Sequence, residues 1–218
     1  LQNHLAEMVL KNKNINCVLG HKPTEITLEP KPSVVVNKKK YSADLIIAAD
    51  GGRSWCRQQL KMPFDFKDWH KKAIIITATL SKRQSDAVLR FLSFGTIACI
   101  PTKDNQYQII LTADADHPIF DHDIEFVHAQ IKTYLEGVVD VEEMSTKPAI
   151  FPLSEGVAPK VAIPGCILIG DSGFMIPPVG AQGLNLAFYD IAVLIDTICE
   201  AKHANKKISS LDFANRFN

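Results

Sequence analysis

Two stretches of this chain stop in the same manner, and they limit its possible folds more than any other feature. Ala43–Ala49 is almost continuously apolar and ends in Asp50-Gly51-Gly52, while Cys166–Ile169 is wholly apolar and ends in Gly170-Asp171. Apolar runs of this kind read as strands covered on both faces, the habit of parallel sheets flanked by helices. After the first run, Arg53-Ser54-Trp55-Cys56-Arg57 opens a short helix through Leu60. After the second comes a long helix from about Leu184 to Ala201. Its apolar residues run nearly all round, which predicts burial against a sheet.

The segment between these two strand–loop–helix units has another character. Phe64, Phe66 and Trp69 read as an aromatic-rich connector, followed by strands at Ala73–Leu80, Val88–Phe94, Thr96–Ile100 and Tyr107–Leu111, with Lys103–Gln106 as a hairpin turn. Strands without intervening helices predict an antiparallel sheet, with Phe91 and Phe94 in its core. Asp121–Gly137 keeps a helical period through Ile124, Val127, Ile131, Tyr134 and Leu135, with Asp121 or Asp123 as N-cap and Gly137 as terminator. Residues 138–164 read as a proline-punctuated stretch. At the start, Leu1, Leu5, Met8 and Val9 mark an amphipathic helix over 1–12, and Ile15–Leu19, Glu25–Leu28 and Ser33–Val36 read as short strands. The expected fold is α/β and α+β. A partial Rossmann-like domain in two pieces, 1–62 and 156–218, encloses an antiparallel-sheet domain at 63–155. No G-x-G-x-x-G follows a strand, so the usual first dinucleotide-binding turn is not in this sequence.

Composition excludes several classes. Lys+Arg 24 against Asp+Glu 24 gives no net charge, hence no global field to attract nucleic acid. Leu45–Ala49 and the other unbroken apolar runs fall far short of the roughly 18 residues of a membrane span. Leu184–Cys199 is greasy but interrupted by Asn185, Asp190 and Asp196. The five cysteines are dispersed, with no zinc-like spacing, and fit buried thiols in a reducing cytosol. The opening residues do not resemble a signal peptide.

Chemistry concentrates at the two strand ends. A buried strand delivering Gly170 and Asp171 puts a carboxylate where open α/β sheets bind ligands. Asp171 then either accepts hydrogen bonds from the hydroxyls of a cofactor or merely caps the next turn. In Pro177-Pro178-Val179-Gly180-Ala181-Gln182-Gly183 the prolines restrict the loop, while Gly180 and Gly183 permit close backbone approach. The N–H groups at the helix start near Leu184 would face negative charge or a carbonyl, and Asn185 adds a side-chain donor. The alternative is a turn that only feeds a core helix. Asp50-Gly51 suits a tight turn after a strand. Arg53 and Arg57 lie four apart, on one face if the segment is helical, where they could engage phosphate or hold carboxylates.

Ala48-Ala49-Asp50-Gly51-Gly52-Arg53-Ser54-Trp55-Cys56-Arg57 resembles the second sequence motif of the class A FAD-dependent aromatic hydroxylases, the flavoprotein monooxygenases. Gly170-Asp171-Ser172-Gly173-Phe174-Met175-Ile176-Pro177-Pro178-Val179-Gly180-Ala181-Gln182-Gly183-Leu184-Asn185-Leu186 resembles the third. Arg90-Phe91-Leu92, Gly95 to Pro101, Asp104-Asn105 and Phe151-Pro152-Leu153 are similar to patterns of the ubiquinone-biosynthesis ring hydroxylases within that family. The resemblance implies FAD as cofactor. Asp171 would lie on its ribityl chain, and Pro178, Gly180, Gly183, Leu184 and Asn185 around the isoalloxazine, with Asp50, Gly51, Arg53 and Arg57 in support. It further implies NADH or NADPH as reductant, dioxygen activation through a flavin hydroperoxide, and hydroxylation of an aromatic small molecule. A polyprenylated quinone precursor would bring peripheral contact with the inner membrane to an otherwise cytoplasmic protein.

The sequence departs from the family at Ser172-Gly173-Phe174, where Ala-Ala-His is usual, at Ala181 before Gln182-Gly183, and at Lys71-Lys72. The family's Gly-rich first βαβ unit is expected in an N-terminal portion or partner chain beyond this sequence. A non-catalytic homologue unable to hold FAD, and a flavin reductase or dehydrogenase without oxygen insertion, remain alternatives.

Overall fold

The computed structural model describes residues 1–83, 85–145, 147–177 and 182–218. From the N-terminus run α1 (Gln2–Lys11), β1 (Pro23–Thr27), β2 (Ser33–Val36), β3 (Lys39–Ser42), β4 (Ile46–Ala48) and α2 (Trp55–Gln59). Next come β5 (Asp65–Leu80), β6 (Val88–Leu92), β7 (Gly95–Pro101), β8 (Gln106–Asp114) and α3 (Ile124–Leu135). The remainder is β9 (Val141–Met144), β10 (Ala149–Val157), β11 (Ala162–Ile163), β12 (Cys166–Leu168), β13 (Phe174–Met175), α4 (Gly183–His203) and α5 (Leu211–Phe217). The chain divides into two compact units. One comprises Leu1–Pro63, Ala158–Gly173 and Leu186–Asn218; the other comprises Phe64–Val157 and Phe174–Asn185.

In the first unit β1, β2 and β3 form an antiparallel sheet. Asn37 and Lys38 turn β2 into β3 with positive φ at both residues, the geometry that matches strand twist in a tight hairpin. A second sheet has the order β11-β12-β4, with β12 parallel to β4. All three residues of β12 are buried, as its apolar run predicts. β4 departs from the expectation of a strand covered on both faces. It is three residues long, and Ile47 is 47% exposed at the sheet edge. The core here joins Ala162 and Ile167 to Leu194 and Ala201 of α4 and Phe213 and Ala214 of α5. Asn218 closes it by accepting the Ala162 N–H and donating to the Ala162 carbonyl, both at 2.9 Å. The all-round burial expected of α4 is not found. Leu194, Thr197 and Ala201 are buried, whereas Phe188, Ile191 and Ile195 are exposed. The helix α1 buries no residue at all. Ile15–Leu19 is not a strand, since the run acquires no ladder partner and Ile15, Val18 and Leu19 are exposed.

The second unit is built on one sheet of order β13-β10-β5-β8-β7-β6, with β9 also paired to β5. Ile74, Ile76, Ala78 and Leu80 alternate onto one face, where Ile97, Cys99, Tyr107, Ile109 and Leu111 meet Val127, Ile131 and Leu135 of α3. Asp123 caps α3 by accepting the Phe126 N–H at 2.9 Å, and Gly137 ends the segment with φ +76°. Two sequence expectations fail here. Phe66 and Trp69 of the aromatic connector lie in the first half of a 16-residue β5, which Phe64 precedes, and the proline-punctuated stretch contains β9, β10 and β11. Phe94 packs against the core, but Phe91 is 78% exposed, because alternation along β6 turns Leu89 and Phe91 to the other face. On that face the register aligns Phe91, Thr96, Thr112, Ala73 and Phe151 in a row across five strands.

Candidate functional site

The parallel pair β4 and β12 sets the geometry. Ile46, Ile47 and Ala48 pair with Cys166, Ile167 and Leu168, and the Ile169 N–H donates to the Ala48 carbonyl at 3.0 Å. Both strands then leave the sheet through a glycine in left-handed backbone, Gly51 at φ +80° and Gly170 at φ +57°. Asp50-Gly51 and Gly170-Asp171 thus lie at neighbouring carboxyl ends of parallel strands, the position where open α/β sheets receive ligands.

The two carboxylates play different parts. Asp50 Oδ2 accepts the Cys56 N–H at 2.9 Å, and the Ser54 hydroxyl donates to the same side chain. Burial pushes the Asp50 carboxyl up, but these hydrogen bonds outweigh it and hold the group below its ordinary value. Asp50 therefore fixes the turn into α2, whose N-cap Ser54 accepts the Arg57 N–H at 3.0 Å. The Asp171 side chain is exposed and has no hydrogen-bond or ionic partner among the described residues. It offers an acceptor at the strand end.

Arg57 is buried, and its guanidinium ties the two turns together. Nη1 donates to the Ser172 carbonyl at 2.5 Å and Nη2 to the Gly52 carbonyl at 2.7 Å. Burial lowers its pKa, and the nearby Asp50 charge opposes that. The expectation that Arg53 and Arg57 share a helical face is overturned. The helix α2 begins at Trp55, so Arg53 precedes the N-cap and is exposed, while Arg57 is directed at main-chain carbonyls. Ser172 is fully buried, its Oγ 2.7 Å from both the Ala48 and Ile169 carbonyls, which share its one hydroxyl hydrogen. The sequence did not reveal Asp190, which reads there only as a polar break in a greasy helix. Its Oδ2 accepts the Gly170 N–H at 2.8 Å.

From Phe174 to Asn185 the third motif belongs to the other unit. Gly183 opens α4, Leu184 is 56% exposed, and Asn185 Nδ2 donates to Gln182 Oε1 at 3.3 Å. Pro178 and Gly180 lie outside the described residues. A Cβ added at Gly51 or at Gly183 meets nothing within 4 Å. Open space beside Gly51 and an exposed Asp171, unengaged among the described residues, fit a ligand that brings hydroxyl groups. Among the described residues no group of His, Cys, Asp and Glu could hold a metal ion, and no helix is long and apolar enough to cross a membrane.

Comparison with known proteins places this geometry. The ubiquinone biosynthesis monooxygenase COQ6 of Dictyostelium discoideum is 24% identical over 85% of this chain and 47% of its own length. The ubiquinone hydroxylase UbiM of Neisseria meningitidis is 23% identical over 97% of this chain and 47% of its own length. The chain thus spans about half the length of the curated relatives it matches. Among solved structures, pqsL from Pseudomonas aeruginosa, a probable FAD-dependent monooxygenase, superposes with a TM-score of 0.80 at 14% identity. That match covers 99% of this chain and 63% of pqsL. OxyS, the anhydrotetracycline hydroxylase of Streptomyces rimosus, gives 0.66 at 20% identity, over 93% and 42%. The profile of the FAD binding domain family runs from residue 18 to residue 214, across both strand-end motifs and the sheet between them. The chain belongs to that family, whose fold is the one of the class A flavoprotein monooxygenases.

Proposed function

We propose that this chain is part of an FAD-dependent monooxygenase that hydroxylates an aromatic ring, with NADH or NADPH as reductant and dioxygen as oxidant. The observation that carries the reading is the pairing of β4 with β12. It sets Asp50-Gly51 beside Gly170-Asp171 and leaves Asp171 with a carboxylate unengaged among the described residues. The chemistry that bound FAD supplies is acceptance of a hydride and activation of dioxygen for insertion of one oxygen atom. The residues of this chain bind and orient. Asp171 accepts hydrogen bonds from ribityl hydroxyls, Gly51 lets the main chain pass close to the cofactor, and Asp50 and Arg57 hold the turns in place. Arg53, exposed at the same turn, is available to phosphate. Pro178, Gly180, Gly183, Leu184 and Asn185 are assigned to the isoalloxazine.

The substrate class proposed is a quinone precursor with a polyprenyl tail, which would draw the enzyme to a membrane surface. Two observations support it: the names of the relatives, and the sheet face of the second unit, where Leu89, Phe91 and Phe151 are exposed. The test uses the full-length protein. Titration with FAD, NADH- and NADPH-dependent oxygen uptake, and a ring product heavier by one oxygen atom are the expected results. Failure to bind FAD would remove the reading. Hydride transfer to an acceptor without oxygen in the product would replace it with a flavin reductase.

A further inference from the structure

We propose that Asp190 is a positioning residue for the cofactor site: it holds the Gly170–Ser172 turn and thereby sets where the Asp171 carboxylate is presented. The proposal rests on the reading of Asp171 as an FAD contact, and it concerns a residue that does not itself touch the cofactor.

The last ladder bond between β12 and β4 is made by the Ile169 N–H to the Ala48 carbonyl. Ile169 is still extended at φ −131° and ψ 154°, so one residue on, strand alternation points the Gly170 N–H away from β4, and a main-chain donor in that place needs another acceptor. Asp190 supplies it at 2.8 Å from the middle of α4. Ala187 lies on the same helical face, three residues earlier, and its Cβ is 3.3 Å from where a Cβ on Gly170 would stand. The helix therefore grips this turn by close packing and by a charge-assisted hydrogen bond.

The other flank of Asp171 is held as firmly. Arg57 donates to the Ser172 carbonyl, and Ser172 Oγ donates back to the strand ends. Both neighbours of Asp171 are thus fixed by side chains distant in sequence, while its own carboxylate is exposed and, among the described residues, unengaged. Such an arrangement keeps an acceptor in one place before a ligand arrives and lessens the ordering cost of binding. Asp190 is the only acidic side chain that bonds to the turn's main chain among the described residues.

The variants are Asp190→Ala, which removes the acceptor; Asp190→Asn, whose amide oxygen can still take the Gly170 N–H; and Asp171→Ala. Two measurements are made on the full-length protein. Without FAD, amide hydrogen exchange should be about tenfold faster over 169–172 in Asp190→Ala and within about threefold of the parent in Asp190→Asn. On titration with FAD, read by quenching of flavin fluorescence, the dissociation constant should rise about tenfold in Asp190→Ala and return to within about threefold in Asp190→Asn. Unchanged exchange in Asp190→Ala overturns the proposal. Faster exchange with unchanged FAD affinity, while Asp171→Ala weakens binding, overturns the positioning role and leaves Asp171 as a cofactor residue. Unchanged affinity in Asp171→Ala removes the reading on which the proposal stands. If Asp190→Ala does not fold, Asp190→Ser, too short to reach Gly170, gives the same discrimination.

Discussion

Arg57 and Ser172 are separated by 115 residues, and the guanidinium of the first donates to the carbonyl of the second at 2.5 Å inside the protein. One side chain thus joins two turns that the chain visits at opposite ends of a long excursion. Lysine cannot replace the fork, because a single ammonium cannot reach the Gly52 and Ser172 carbonyls in the same way. Arg57→Ala should lower stability to urea by about 2–3 kcal/mol, and Arg57→Lys by more than half of that. Equal urea midpoints for Arg57→Lys and the parent would contradict this.

The approach of β7 to β8 demands a residue without a side chain at one point. A Cβ on Gly95 would stand 1.8 Å from the Thr112 carbonyl oxygen, which is main chain and cannot step aside. Gly95→Ala should cost about 3 kcal/mol or more, and thermal unfolding monitored by circular dichroism measures it.

His70 poses the opposite case. It sits within β5 at φ +52°, where the ladder with β10 is irregular, and its side chain is exposed. Its N–H donates to Asp68 Oδ1 and its carbonyl accepts the Ala115 N–H, both at 2.8 Å, so the left-handed residue is held from both sides. Glycine keeps those bonds without the Cβ penalty. His70→Gly should stabilise by about 0.5–1 kcal/mol in the same unfolding assay.

The cysteines should divide by reactivity. Burial, reinforced by the Asp50 charge, pushes the Cys56 thiol up to about 12; burial and the neighbouring Cys56 and Asp50 do the same to Cys166, and burial alone takes Cys99 to about 11. Cys199 is exposed. With iodoacetamide at about pH 8, Cys199 should be labelled first and these three protected until unfolding, as peptide mass mapping would show.

Asp50 makes an acid-side contribution of definite sign. Its folded pKa lies below the ordinary 3.8, so its stabilising contribution is complete above that value and disappears as pH falls through the lowered one. Urea midpoints measured from about pH 5 down to about pH 2.5 should fall less steeply in Asp50→Asn than in the parent. Parallel curves would assign the acid sensitivity elsewhere.

Where a pattern depends on burial and local spacing, the chain is legible. The run Cys166–Ile169 yields β12, the period from Ile124 to Leu135 yields α3, and the change from apolar strand to Gly170-Asp171 marks the strand end that carries the candidate site. Features that depend on partners are not. Pro152 hides β10, yet β13 pairs that strand only at Gly156 and Val157, so at Pro152 one side is an edge where proline is tolerated. The role of Asp190 depends on a bond across 20 residues that no periodicity encodes. Arg57 looks like a surface cation until the Ser172 carbonyl is known to stand opposite it.

The first helix has a consequence of its own. With ten residues and none of them buried, α1 lacks tertiary support from the described residues of this chain, and it is shorter than the about 12–15 residues at which a lone helix persists in water. Its order rests on little more than its own main-chain bonds and the exposed Glu7–Lys11 ion pair. Warming should therefore melt α1 well ahead of the sheets, making the peptide bonds after Lys11 and Lys13 the earliest places for trypsin to cut.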